Sequence, residues 1–116
     1  VKKDFIIIDA GMNDFMRPAL YDAVHKIIPI KKSKSKLKGT IEFVGPICES
    51  TCKFGSYKNY QKMSENDFVA ITNVGAYGSS LSSNYNSRPL IAELLVNKNK
   101  IKYIRKNKDL LKLINS

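Results

Sequence analysis

Residues 39–48, G-T-I-E-F-V-G-P-I-C, contain the clearest strand pattern in the chain. Polar side chains alternate with Ile41 and Phe43, and alternation with a period of two predicts a β-strand. A Gly-Pro turn ends the run, and Cys48 follows where the strand gives way to a loop. Functional groups concentrate at such positions, so Cys48 is a candidate site residue.

Other segments predict further strands. Asp4–Asp9 is an apolar, β-branched run that predicts a buried strand, and Phe68–Val74 predicts another. Leu90–Val96 and Ile101–Arg105 flank N-K-N-K, which is typical of a hairpin. Several strands joined by turns predict a small, mostly-β sheet or barrel. The length suits one modest domain, residues 1–116.

Two short helices are predicted beside these strands. Pro18 suits a first helical turn, and apolar residues follow it at helical spacing up to Ile28, so the helix is expected to stop before Pro29. The second helix is predicted over Asp109–Ile114. Two segments predict loops, Lys31–Lys38 and Cys48–Asn66, and the segment Gly75–Asn86 is small and polar.

The chain is strongly basic, with 20 Lys and Arg against 10 Asp and Glu and a formal net charge of +10. A surplus of this size fits a nucleic-acid-binding module. Only three of the cations are Arg, however, which is the residue that base readout favours, and Lys31–Lys38 contains no aromatic residue. A solvated basic surface is therefore preferred, and no nucleic-acid partner is expected.

No apolar run is long enough to span a bilayer, so no membrane partner is expected. The N-terminus lacks the basic-then-apolar pattern of a signal peptide. A cytoplasmic location is therefore expected.

The cysteines and the histidine do not predict a metal site. A structural zinc site wants four ligands, and the chain offers only Cys48, Cys52 and His25 from the usual set. His25 is interpreted as a packing residue, and a disulfide is disfavoured by the expected compartment. For Cys48 the residues leave two interpretations open: a small buried apolar side chain, or a thiol that donates protons.

Longer motifs favour the second interpretation. They are D-A-G-M-N-D-F-M-R-P-A-L-Y at Asp9–Tyr21, G-P-I-C-E-S at Gly45–Ser50, G-A-Y-G-S-S-L-S-S-N-Y-N-S-R-P at Gly75–Pro89, and A-E-L-L-V at Ala92–Val96. In order and approximate spacing they resemble the C-terminal domain of the diaminopimelate decarboxylases. The resemblance runs over nearly the whole chain.

The resemblance implies a pyridoxal-5'-phosphate enzyme that converts meso-2,6-diaminopimelate to L-lysine and carbon dioxide. Enzymes of this family are homodimers whose β-rich C-terminal domain accompanies a (β/α)8 barrel. That barrel carries the cofactor lysine, and the sequence contains no region that matches it. This chain alone is therefore expected to be inactive, as an excised domain, one half of a split enzyme or the product of a decaying gene. An inactive domain that only docks on a barrel is the alternative.

The resemblance also implies a role for each matching residue. Cys48 is expected to donate a proton in the active site of the partner subunit, and Glu49 to bind the distal ammonium of the substrate. Arg17 and Tyr21 are expected to hold the distal carboxylate, and Tyr77 to lie near cofactor and substrate. Four of these residues also have a structural alternative. Arg17 is then a surface cation, Tyr21 a core residue, Glu49 a solvated acid of the loop and Tyr77 a packing aromatic.

Two further features bear on these roles. The family usually continues the cysteine motif with Gly-Asp after the Ser or Thr, whereas this chain has Thr51 and Cys52. Loss of the glycine predicts an altered turn beside Cys48. The run Ser82–Asn86 is interpreted as structural, because small polar side chains bond to nearby backbone.

Overall fold

The computed structural model describes residues 3–106. Most of its elements are strands, which confirms the mostly-β prediction. In chain order they are β1 (Asp4–Ile7), α1 (Arg17–Tyr21), β2 (Ile27–Pro29), β3 (Thr40–Val44), β4 (Lys53–Lys58), β5 (Val69–Ile71), α2 (Gly75–Ser80), a 3-10 turn (Tyr85–Ser87), β6 (Glu93–Asn97) and β7 (Lys100–Arg105).

The described strands form small, open sheets rather than one closed barrel. The largest has the order β1-β3-β4, with β1 parallel to β3 and β3 antiparallel to β4. Strands β2 and β5 pair antiparallel, and β6 and β7 form the predicted hairpin. No helix within residues 3–106 is long and apolar enough to cross a membrane.

The core lies against the large sheet. It is built on four buried side chains, Phe15, Ile27, Phe43 and Phe54. The alternation in β3 is confirmed, since Ile41 and Phe43 are fully buried. Tyr57 and Tyr60 pack edge-on against the ring of Phe43, with centroids 5.6 and 5.0 Å away.

The predicted helix after Pro18 is too long. It ends at Tyr21, because Asp22 adopts a left-handed conformation (φ 52°) and its N–H bonds back to Arg17 O. Ile27 pairs with Ile71 in β2–β5 and is 2% exposed, whereas Val24 is 94% exposed. The β-branched Ile27 gains more from sheet pairing and burial than from continuing the helix.

Other predictions need correction as well. The loop predicted over Cys48–Asn66 contains β4, and the small, polar segment Gly75–Asn86 contains α2. The strand predicted at Asp4–Asp9 exists as β1, but it is not buried, since Phe5 and Ile7 are 58% and 74% exposed. The strand predicted over Phe68–Val74 is β5, shorter at both ends. The helix predicted over Asp109–Ile114 lies outside the described residues.

Candidate active site

A tight turn at Asp9–Phe15 joins the predicted motifs. The Asp14 carboxylate accepts the Gly11 N–H at 2.8 Å and the Asn13 side-chain amide at 3.0 Å. Asn13 and Asp14 are both buried. A Cβ on Gly11 would lie 2.5 Å from Asn13 Oδ1 and 2.9 Å from Ile47, so only glycine fits there without a shift.

This turn holds the segment Gly75–Pro89. Ser83 N–H donates to Asn13 O at 2.9 Å, and Arg88 Nη2 donates to Asp9 O at 2.7 Å. The same Arg88 nitrogen lies 3.6 Å from the Asp14 carboxylate. The carboxylate of Asp14 is therefore paired with Arg88, across more than seventy residues of chain.

The same turn holds the β3–β4 loop on its other side. Met12 N–H donates to Cys52 Sγ at 3.4 Å, and Thr51 Oγ1 lies 3.6 Å from Met12 Sδ. Cys52 is buried, and its Sγ would lie 2.6 Å from a Cβ on Gly45. Thr51 and Cys52, which replace the usual Gly-Asp, thus fasten the loop to the turn. Of the two cysteines, Cys52 is therefore the one that is buried as a small apolar side chain.

Cys48 lies exposed at the tip of this loop. The loop is closed by Gly45 N–H donating to Cys52 O at 2.9 Å and Cys52 N–H donating to Glu49 O at 3.0 Å. Ile47 is buried and anchors the residue before the thiol. The thiol of Cys48 is therefore presented outward from a fastened loop.

Glu49 has a partner that the sequence did not suggest. Tyr85 OH donates to Glu49 Oε1 at 2.5 Å. This hydrogen bond, followed by the negative charge of Glu49, partial burial and the nearby Cys48, raises the pKa of Tyr85 above its ordinary value. Tyr85 belongs to Ser82–Asn86, which was interpreted as only structural. The signal available in the sequence was its place inside a long motif.

Arg17 and Tyr77 also come together. The guanidinium carbon of Arg17, at the start of α1, lies 5.7 Å from the ring centroid of Tyr77 on α2. Among the described residues, the buried Nε of Arg17 has no hydrogen-bond partner. Tyr21 ends the same helix and is 63% exposed, so it is not a core residue in this chain.

The remaining candidates lie apart from these groups. His25 is buried, its Nδ1 lies 3.1 Å from Thr72 O, and its ring packs edge-on against Phe15 at 4.7 Å. His25 is therefore a packing residue, as predicted. No group of three or more His, Cys, Asp and Glu able to hold a metal ion occurs in the described part of the chain.

Comparison with known proteins gives a consistent result. Residues 1–75 match the family described as pyridoxal-dependent decarboxylase, C-terminal sheet domain. A diaminopimelate decarboxylase of Helicobacter pylori is 47% identical over 108 residues, which are 93% of this chain and 27% of that protein. The enzyme of the same name from Aquifex aeolicus is 42% identical over 107 residues, 92% of this chain and 25% of that protein.

Solved structures give the same picture. The diaminopimelate decarboxylase of Helicobacter pylori complexed with L-lysine superposes with a TM-score of 0.82 at 45% identity, over 96% of this chain and 27% of that one. The enzyme of M. jannaschii in co-complex with L-lysine gives 0.84 at 39% identity, over 95% and 25%. The chain thus spans about a quarter of the length of these relatives.

Proposed function

Because the chain belongs to the pyridoxal-dependent decarboxylases, whose C-terminal sheet domain it contains, we propose that it is the substrate-facing domain of a cytoplasmic diaminopimelate decarboxylase. The reaction is conversion of meso-2,6-diaminopimelate to L-lysine and carbon dioxide. The observation that carries the proposal is the turn Asp9–Phe15, which fastens the Cys48 loop on one side and the Tyr77 segment on the other.

The described residues fit one wall of a pyridoxal phosphate site. Tyr77 is 62% exposed on α2, and nothing lies within 4 Å of a Cβ added to the neighbouring Gly75, so a flat ring can approach. Because the chain matches a C-terminal domain and covers about a quarter of its relatives' length, we assign the cofactor lysine and phosphate cradle to a barrel domain, on the same polypeptide or on a separate chain.

The distal end of the substrate carries an ammonium and a carboxylate. Glu49 has one oxygen engaged by Tyr85 and a second that can accept a hydrogen bond from the ammonium. Arg17 forms no ion pair among the described residues, and the terminal nitrogens of its guanidinium can bind the carboxylate through two parallel hydrogen bonds. Tyr21, one helical turn further along α1, is exposed and can support that contact.

The reacting end requires a proton. Bound pyridoxal phosphate would supply the electron sink for the bond to the departing carboxylate. The exposed thiol of Cys48 then delivers its proton to the α-carbon.

The surface supports an assembly with a barrel and with a second copy. Exposed apolar side chains line β1 and the β6–β7 hairpin, including Phe5, Ile7, Leu95, Val96, Ile101 and Ile104. The radius of gyration is 15.7 Å, against about 13 Å for a compact domain of about 100 residues. A surface this apolar and extended is typical of a domain that packs on others. In the homodimer we propose, Cys48 enters the active site of the partner subunit.

Substitution of the two loop residues in the assembled enzyme tests these roles. Cys48→Ala should lower kcat by about 100-fold or more, the range for loss of an acid–base group. Glu49→Ala should mainly raise KM and weaken the preference for diaminopimelate over analogues that lack the distal amine. The control is Ser50→Ala, in the same exposed loop. If Cys48→Ala and Glu49→Ala both left turnover and substrate choice unchanged, the chain would have only a docking role in the assembled enzyme.

A further inference from the structure

The contact between Tyr85 and Glu49 brings together residues 36 apart in sequence. Its length of 2.5 Å is that of a charge-assisted O–H···O bond. Glu49 follows Cys48 directly in the β3–β4 loop. The phenol thus lies against the acid that neighbours the thiol.

The segment that carries Tyr85 is fastened at both ends. Ser83 N–H donates to Asn13 O, and Arg88 Nη2 donates to Asp9 O, so both ends are held by one turn. Between them, Asn86 and Ser87 take left-handed conformations (φ 61° and 57°). Such conformations are costly for residues other than glycine and persist where the surroundings impose them. The segment is therefore held in a specific shape that aims Tyr85 at the loop.

The hydrogen bond can run in one direction only. An ionised carboxylate accepts and does not donate, so the phenol is the donor. A phenol holds its proton through the neutral range, and the hydrogen bond to Glu49 raises the pKa of Tyr85 further. The hydrogen bond to Oε1 restrains the Glu49 carboxylate and leaves its Oε2 able to accept a hydrogen bond from a ligand.

We infer that Tyr85 is a positioning residue: its hydroxyl fixes the Glu49 carboxylate, and through it the tip of the Cys48 loop, in the orientation that binds the distal ammonium. Binding of the substrate ammonium by Glu49 rests on the proposed function. The hydrogen bond between Tyr85 and Glu49 does not depend on it.

If Tyr85 had a purely structural role, loss of its hydroxyl would lower the stability of the folded chain. Tyr85 is 46% exposed and Glu49 is exposed, so water replaces the bond easily when it is lost. Tyr85→Phe removes the hydroxyl and keeps the ring. It should therefore leave the unfolding midpoint close to that of the unchanged chain, while it alters the use of substrate.

The kinetic test uses the chain assembled with its barrel. Tyr85→Phe should raise KM for meso-diaminopimelate about fivefold and change kcat less, as expected for a lost contact to a charged group. In the Glu49→Ala background the same change should have no further effect. The control is Tyr103→Phe, a phenol of similar exposure (57%) on β7. Equal kinetics for Tyr85→Phe and Tyr103→Phe would overturn the inference.

A second measurement does not require turnover. Tyrosinate absorbance is followed against pH in the isolated chain, and Tyr85 is identified by difference from Tyr85→Phe. Glu49→Gln should move the Tyr85 titration to lower pH, because the hydrogen bond to the carboxylate and the negative charge of that carboxylate, which raise the pKa of Tyr85, are both lost.

The two measurements separate the possible failures. A shifted titration without turnover in any assembly would confirm the contact and contradict the proposed function, and the positioning role with it. Turnover with an unshifted titration and unaltered KM would contradict the positioning role alone.

Discussion

At the level of single residues, the two cysteines have different roles: one is exposed at the candidate site and the other stabilises the loop. Cys48 is exposed at the loop tip, while Cys52 is buried and accepts the Met12 N–H at 3.4 Å. Cys52→Ala should lower the free energy of unfolding by about 1–2 kcal/mol, because it leaves a small cavity and an unbonded N–H.

The matched control is Cys48→Ala, which should change the free energy of unfolding by less than about 0.5 kcal/mol. Denaturant unfolding measures both. Alkylation should also label Cys48 in the folded chain and Cys52 only after unfolding. Equal costs for the two substitutions would contradict this division.

Motifs that resemble a family nominate the residues of the candidate site, but they do not predict the contacts of these residues. Local patterns that resemble a family single out Cys48, Glu49, Arg17, Tyr21 and Tyr77. These patterns do not single out Tyr85, because the role inferred for it depends on a hydrogen bond to a residue 36 positions away, which no local spacing reveals. The structure brings Glu49 to Tyr85 and Arg17 to Tyr77, and leaves Tyr21 exposed.

At the scale of elements, alternation predicted strands well and helical spacing misled. Strand β3 and the β6–β7 hairpin were found because each has a local pattern and a local turn. The glycine-containing β4 was missed, since Gly55 interrupts its alternation with a φ of 130°. Helix α1 was overextended because the apolar side chains of Ile27 and Ile28 belong to a sheet with distant β5.

Because α1 ends at Tyr21, substitution of Ile27 and substitution of Val24 should differ in their cost to stability, although helical spacing would place both residues on one face. Ile27→Ala should cost about 2–4 kcal/mol of unfolding free energy, since Ile27 is 2% exposed in the core. Val24→Ala should cost less than about 0.5 kcal/mol, since Val24 is 94% exposed. Denaturant unfolding measures both. Comparable losses would mean that the helix continues past Asp22.

At the scale of the whole molecule, stability should fall at high pH. Burial, followed by the charge of nearby Tyr57, raises the pKa of Tyr60 to about 12. The unfolded phenol titrates near 10. The folded state therefore keeps its proton where the unfolded state loses it, and the contribution of Tyr60 is complete below pH 10 and lost as pH rises toward 12.

Tyr60→Phe isolates this contribution. Between pH 10 and 12 its unfolding free energy should fall less steeply than that of the unchanged chain, although the lost bond to Ile27 O lowers stability at every pH. Exposed Tyr103→Phe should keep the original slope. An identical slope for Tyr60→Phe would mean that the phenol is not desolvated in the folded chain.

We propose that this chain is the substrate-facing domain of a decarboxylase whose cofactor lysine lies on a barrel domain. The most direct measurement is lysine release from meso-diaminopimelate with pyridoxal phosphate, by the chain alone and by the chain with a separately folded, cofactor-loaded barrel domain of a relative. We expect release only in the mixture, and its loss with Cys48→Ala. Release by the chain alone, or equal release by the barrel with and without the chain, would contradict it.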